Sequence, residues 1–182
     1  TIERTTNHDV KAVEYFIKNK MTALGLEQYL EWVHFALTSQ DINNTATPLM
    51  LKDYLLEQYF PELQSIIDRI KAMADDYDGI PLLARTHGQA ASPTTVGKEL
   101  QVFVERLEDQ FDLLKALPVK AKFGGATGNY NAHKVSFPDI DWPAFGDRFV
   151  SSLGLVRSHY TTQIAHYDHM AAIFQNISRI NT

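Results

Sequence analysis

Residues 95–117 read TVGKELQVFVERLEDQFDLLKAL, and this stretch decides the fold. Its apolar residues recur every three or four positions and share one face of a helix: Leu100, Phe103, Val104, Leu107, Phe111 and Leu114. The polar positions hold charged residues, including Glu99, Arg106, Glu108 and Asp109. Pro118 ends the pattern, because a proline has no amide to donate and collides with the preceding turn. The stretch predicts one long amphipathic helix from about Thr95 to Leu117.

The N-terminal side of the chain shows the same helical spacing. Asn7 is a good N-cap, with the acidic Asp9 in the first turn, and this first pattern closes at Gly25. A second helical pattern, over residues 26–37, carries Leu26, Leu30, Val33 and Leu37 on one stripe. Two helices are therefore predicted before residue 38.

A further helix is predicted to begin at Thr38, which with Asp41 resembles a capping box. Its apolar pattern continues to Met73 and contains Pro48 and Pro61, which either kink one long helix or divide it. Near the other end, a short helix is predicted from Trp142 to Leu153, and a last one from near Gln163 to the end of the chain. Alternating strand patterns are lacking, so we predict an all-α fold built as a bundle of long helices.

Composition narrows the function classes. The chain has 182 residues, of which 45% are hydrophobic and 21% charged, and its net charge is −5. This acidic balance disfavours nucleic-acid binding, and no apolar run approaches the roughly 18 residues of a membrane span. The chain has no cysteine, which excludes disulfides, thiolate metal sites and cysteine nucleophiles, and which agrees with a reducing cytosol.

The long helix is preceded by IPLLARTHGQAASPTT, residues 80–95. The apolar start of this stretch fits a short buried segment, which stops at Arg85-Thr86-His87-Gly88. A histidine in such a place is a candidate general acid, because imidazole titrates near neutral pH. The alternative is a loop histidine that hydrogen-bonds to the backbone.

Three further polar clusters are candidate binding sites. Two lie at predicted helix starts, where free amides and the helix dipole suit an anion: Asn7-His8-Asp9 and Thr38-Ser39. Both also fit plain helix capping. The third, Thr161-Thr162-Gln163, either contacts a ligand or simply begins the last helix. His34 faces the Thr38 site or packs in the core.

Two other patterns are weaker. His166 and His169 could share a helix face beside Asp168, but no third or fourth ligand completes a metal site, so none is predicted. The glycine-rich segment from Lys122 to Asn131 lacks the spacing of a dinucleotide fingerprint and is interpreted as a tight connection.

Five motifs together carry a family resemblance: ERTTNHDVKAVEY (3–15), HFALTSQDINN (34–44), RTHGQ (85–89), GNYNAH (128–133) and YTTQI (160–164). In this order the chain resembles the adenylosuccinate lyase family, in its bacterial form. The Thr-Ser-x-Asp and Thr-His-Gly elements are similar to those of the wider fumarase/aspartase superfamily, while the first and fourth motifs point to the adenylosuccinate branch.

The resemblance implies a fold and a domain organisation. Residues 1–25 correspond to the end of the family's N-terminal domain, and residues 26–182 to the first part of its central helical bundle domain. Both ends of the chain are therefore expected to lie inside a longer protein. The family's central helices come from four subunits, so a homotetramer with sites shared between chains is implied.

The resemblance also implies an activity: a cofactor-free β-elimination of fumarate from adenylosuccinate, giving AMP, and from succinyl-aminoimidazole-carboxamide ribotide in purine biosynthesis. A cytoplasmic enzyme is expected. By similarity, His87 is the general acid, and His8 supports it from a substrate-binding segment with Asn7 and Asp9. The further substrate contacts implied are Thr38, Ser39, Gln163 and His34.

One departure from the family is important. The loop Ser-Ser-x-Met-Pro-His-Lys-x-Asn-Pro, which carries the general base, does not occur in these 182 residues, nor does the C-terminal domain. The chain alone is thus expected to be inactive. Two alternatives remain: another lyase of the superfamily, such as argininosuccinate lyase, and a helical assembly module without chemistry.

Overall fold

The structure, a computed structural model, describes residues 1–182. Helices dominate it, and the predicted helical fold class is confirmed. The elements are α1 Glu3–Thr6, α2 Asp9–Ala23, a 3-10 helix Glu27–His34, α3 Ser39–Tyr54, a π-helix Leu55–Tyr59, α4 Phe60–Asp76, β1 Pro81–Thr86, β2 Gln89–Thr95, α5 Val96–Ala116, β3 Lys120–Ala121, α6 Asn131–Ser136, α7 Trp142–Ser152, β4 Val156–Arg157 and α8 Asp168–Ile180. None of the helices has the length and apolarity needed to cross a membrane.

The chain divides into two compact units. The first unit comprises Thr1–Met50 and Val119–Tyr167, and the second Leu51–Pro118 and Asp168–Thr182. These two units are defined by contacts within this chain. They do not test the domain boundary that the family resemblance implies after residue 25, and that boundary stays a prediction.

Helix α5 confirms the prediction made from residues 95–117. The Thr95 hydroxyl caps it by accepting a hydrogen bond from the Lys98 amide at 3.1 Å. Val104 and Phe111 are buried against Leu63 and Ile67 of α4. Burial of each such side chain contributes about 1.5–3 kcal/mol, so this interface supplies much of the second unit's stability.

The two prolines act differently, and neither interrupts the run of helix. Pro48 lies inside α3 and leaves the carbonyl of Asn44 without its usual helical donor. The amide of Lys122 donates to this carbonyl instead, at 3.1 Å. Pro61 lies in the first turn of α4, directly after the π-helix, where its missing amide costs less.

Two predictions about helices near the N-terminus were wrong. Asn7 is not an N-cap: it ends α1 in the left-handed conformation, with φ 50°, which its short polar side chain tolerates. His8 is extended and caps α2. The pattern at residues 26–37 forms the 3-10 helix Glu27–His34, because apolar spacing over two turns does not distinguish 3.0 from 3.6 residues per turn.

The last helix begins at Asp168 and not near Gln163. Contacts made by the preceding residues explain the difference. A Cβ atom on Gly128 would lie only 2.4 Å from the carbonyl oxygen of Thr161, so the two segments are in close backbone contact. Gln163 in turn contacts Thr38. Tertiary packing thus holds residues 161–163 in an irregular conformation.

Residues 80–86, predicted as a buried segment, are largely exposed, and Pro81–Thr86 form the first strand of a hairpin. β1 pairs with β2 in antiparallel register, from Pro81 opposite Thr95 to Thr86 opposite Gln89. The turn residues, His87 and Gly88, have φ values of +47° and +74°, the pattern of a type I′ turn.

The core of the first unit lies where β3 and β4 pair in parallel. Ala121, Val150 and Leu155 are buried together, with Leu49 and Phe123 packed against them. The loop that follows β3 is therefore held at its start by an apolar cluster.

Candidate functional site

Asp41, in the first turn of α3, organises the polar part of the first unit. Its carboxylate accepts hydrogen bonds from the amides of Thr38 at 2.9 Å and Gly124 at 2.8 Å, and also from the amide of Gly125. The ammonium group of Lys122 lies 2.8 Å from it, and both side chains of this ion pair are fully buried. The bond from Thr38 confirms the predicted capping interaction, and the others hold the glycine-rich loop against the helix.

Thr38 and Gln163 are brought together although 125 positions separate them in the sequence. The side-chain amide of Gln163 donates to the Thr38 hydroxyl at 3.4 Å, a long hydrogen bond. Ser39, the first residue of α3, is partly exposed beside Thr38. Two hydroxyls and one amide thus lie at the N-terminus of a 16-residue helix, whose dipole favours an anion.

His34 belongs to a charged cluster around the buried carboxylate of Glu14. Its Nδ1 lies 3.3 Å from Glu14, and Lys11 and Lys18 lie at 2.7 and 3.0 Å. Burial alone would raise the pKa of Glu14, but the hydrogen bonds from the two lysines and the nearby His34 hold it below its usual value. The alternative of a packed core histidine does not describe His34, whose side chain is 34% exposed.

His8 begins α2 and is half exposed. Its Nδ1 accepts a hydrogen bond from the amide of Lys11 at 3.2 Å. The same Nδ1 lies 3.3 Å from the carboxylate of Asp9. Asn7 is exposed just before it.

His87 lies in the second unit, at the tip of the β1–β2 hairpin, and its side chain is exposed. A non-glycine residue at the first position of a type I′ turn is usually Asn or Asp, and His is enriched at positive φ together with these two. The geometry of the turn is therefore compatible with a histidine at this position.

The structure thus groups most of the predicted site residues in the first unit. Contacts connect His8 through Lys11 and Glu14 to His34, and Thr38 to Gln163. His87 belongs to the other unit. No group of three or more His, Cys, Asp or Glu side chains converges in a way that could hold a metal ion.

The sequence alone did not reveal the roles of Lys122 and His133. The one indirect signal for Lys122 was its place at the start of the glycine-rich segment. His133 is buried among Phe35, Phe123, Tyr130 and Trp142, and its Nδ1 has no hydrogen-bond partner. Burial lowers the pKa of His133, so its imidazole is neutral and packs as an aromatic ring.

Comparison with known proteins gives a consistent result. The family model described as Lyase matches residues 1–182. The adenylosuccinate lyase of Dictyostelium discoideum is 55% identical and that of Haemophilus influenzae 50% identical, each over 100% of this chain and 40% of the relative. The adenylosuccinate lyase of Escherichia coli K12 is 49% identical. The chain spans about 40% of the length of these relatives.

A solved structure also matches. The 3-carboxy-cis,cis-muconate lactonizing enzyme from Pseudomonas putida superposes with a TM-score of 0.77, covering 97% of this chain and 39% of that protein. The two sequences are 22% identical, so this likeness shows the fold alone.

Proposed function

The chain belongs to the lyase family, and on that premise we propose that the complete protein is an adenylosuccinate lyase. It would eliminate fumarate from adenylosuccinate to leave AMP, and from succinyl-aminoimidazole-carboxamide ribotide in the same way. The observation that carries the proposal is the similarity of 49–55% identity, over the whole chain, to relatives that bear this one name.

The proposed reaction needs a base, an acid and groups that bind anions, but no cofactor. The base takes a proton next to a carboxylate, and the acid protonates the departing nitrogen. We assign the acid to His87 on its resemblance to the family's Thr-His-Gly element, and its side chain is exposed at the tip of the hairpin. By the same resemblance, His8 would support the acid from the substrate-binding segment with Asn7 and Asp9, and its side chain is half exposed.

The anionic groups of the substrate would bind in the first unit. Thr38, Ser39 and Gln163 supply hydroxyl and amide groups at the N-terminus of α3. His34 would lie near the phosphate. Around it, Lys11 and Lys18 supply two ammonium groups, which pair with the carboxylate of Glu14 and, for Lys18, also with that of Glu31 at 3.7 Å.

We also propose that the complete enzyme is a homotetramer in the cytoplasm. Large apolar side chains on α4 and α5 are about half exposed, namely Ile66, Phe103 and Leu113 at 53% each. Helices from other subunits would cover such surface. The absence of cysteine is in keeping with a reducing compartment.

Fumarate formation tests the proposal directly. The complete enzyme, purified and incubated with adenylosuccinate, should produce fumarate and AMP in equal amounts, with the reaction followed by ultraviolet absorbance. Turnover of argininosuccinate instead would assign the protein to that lyase, and inactivity on both would favour an assembly module.

The 182-residue chain serves as a control in the same assay. It lacks the segment that carries the base in the family, so no turnover above background is expected. If this chain, free of host enzyme, produced fumarate, a base would have to lie among its own residues and the proposed division of roles would be wrong.

Ser39 offers a test of the anion-binding role. Ser39 is partly exposed at the first position of α3, so Ser39→Ala should change the free energy of unfolding by less than about 0.5 kcal/mol. Binding of adenylosuccinate should weaken by roughly 1.5–3 kcal/mol, the scale of a hydrogen bond to a charged group. Calorimetric titration of the complete enzyme measures the affinity, with Ser65→Ala on the exposed face of α4 as control. Unchanged affinity would remove Ser39 from the site.

A further inference from the structure

We propose that Lys122 is a positioning residue that sets the spacing of Thr38 and Gln163 through two sets of contacts. The inference rests on the proposed function, in which these two residues bind the substrate. Lys122 itself is fully buried and cannot contact a ligand. Its ammonium group has two partners: the carboxylate of Asp41 at 2.8 Å and the carbonyl of Gly125 at 2.6 Å.

The first set of contacts leads to Thr38. Asp41 accepts the amide of Thr38 at 2.9 Å, so the position of its carboxylate determines where the residue before α3 lies. Lys122 binds the Oδ1 atom of that carboxylate, as do the amides of Gly124 and Gly125, while the amide of Thr38 binds Oδ2. A shift of Lys122 would therefore move Thr38.

The second set of contacts leads to Gln163. The carbonyl of Gly125, bound by Lys122, also accepts the amide of Gly128 at 3.2 Å. Gly128 has φ +79° and lies so close to the segment of Gln163 that an added Cβ would stand 2.4 Å from the carbonyl oxygen of Thr161. The turn held by Lys122 thus forms the surface against which residues 161–163 rest.

The hydrogen bond between Gln163 and Thr38 joins the ends of these two sets of contacts. The backbone of Lys122 is fixed as well, because its amide donates to the Asn44 carbonyl that Pro48 leaves free. The backbone amide and the ammonium group of Lys122 are thus both held by polar contacts, as is required of a residue that supports a binding site.

Lys122→Met in the complete enzyme tests the inference, since it keeps an unbranched side chain only one heavy atom shorter and removes the charge. We expect KM for adenylosuccinate to rise about 10-fold while kcat per folded active site changes less than about 2-fold, the pattern of lost binding. In a Thr38→Val background, which already lacks the hydroxyl, Lys122→Met should raise KM by clearly less than the roughly 10-fold expected in the wild-type background, because part of its effect acts through Thr38.

Arg157→Met is the matched control. Arg157 is also buried in the first unit and pairs with Asp147 at 2.6 Å, but it contacts neither Thr38 nor Gln163. The substitution Arg157→Met should lower the unfolding temperature of the enzyme and leave KM for adenylosuccinate unchanged. Should Lys122→Met not fold, Asp41→Asn removes the same ion pair without a change of size, and the same rise in KM is expected.

The outcomes are separable. If the wild-type enzyme turns over adenylosuccinate normally, and if Lys122→Met and Asp41→Asn leave KM unchanged, this inference is overturned while the proposed function stays intact. Effects of Lys122→Met and Thr38→Val on KM that multiply fully in the double variant would also overturn it, because they would show that Lys122 acts independently of Thr38. A wild-type enzyme that does not act on adenylosuccinate would overturn the proposed function and the inference with it.

Discussion

Replacing His87 with glutamine should lower kcat of the complete enzyme about 100-fold or more, with a smaller effect on substrate binding. The expectation follows from the acid role, since general acid catalysis commonly contributes 100-fold to 10,000-fold to a rate. Glutamine can still donate a hydrogen bond but cannot release a proton to the leaving nitrogen. Steady-state kinetics with adenylosuccinate, together with a measured dissociation constant, separate the two effects.

The turn provides a control for the geometry of this site. His87 adopts φ +47° ahead of Gly88, and Asn-Gly is the sequence that type I′ turns prefer. His87→Asn should therefore preserve the hairpin and yet lose turnover to the same extent as His87→Gln. Full turnover of either variant at saturating substrate would exclude His87 as the acid.

Replacing Asp41 with alanine should destabilise the chain by about 3–5 kcal/mol, the usual cost of leaving a buried charge without its partner. Lys122, which is 0% exposed, would keep only the carbonyl of Gly125. The amides of Thr38, Gly124 and Gly125 would lose their common acceptor. Urea denaturation, followed by circular dichroism, measures the change in the free energy of unfolding.

Asp112→Ala is the matched control for this substitution. Asp112 is paired with Lys115 at 2.7 Å, but its side chain is 74% exposed. Solvent screens such a pair, so its loss should cost less than about 1 kcal/mol. Equal effects of the two substitutions would show that burial of the Asp41–Lys122 pair does not determine its contribution.

The helices that the sequence predicted well are those with long periodic patterns and local caps. Helix α5 begins one residue after its capping Thr95 and ends two residues before Pro118, because cap, apolar stripe and proline all act within a few turns. The capping bond between Thr38 and Asp41 is local in the same sense. The hairpin was missed, since His-Gly is not a common type I′ pair and its strands are exposed rather than alternately buried.

The sequence by itself thus determined the helical class, the start of α3, the extent of α5 and the family motifs. Only the tertiary structure decided how the polar residues meet. Asp41 and Gly124 are 83 positions apart, and Thr38 and Gln163 are 125 apart, so no local pattern links them. Helix α8 starts at Asp168 because packing holds residues 161–163 out of it. Contacts between residues far apart in the sequence depend on where the backbone reverses direction. The periodicity of side chains along one helix carries no information about where the backbone does so.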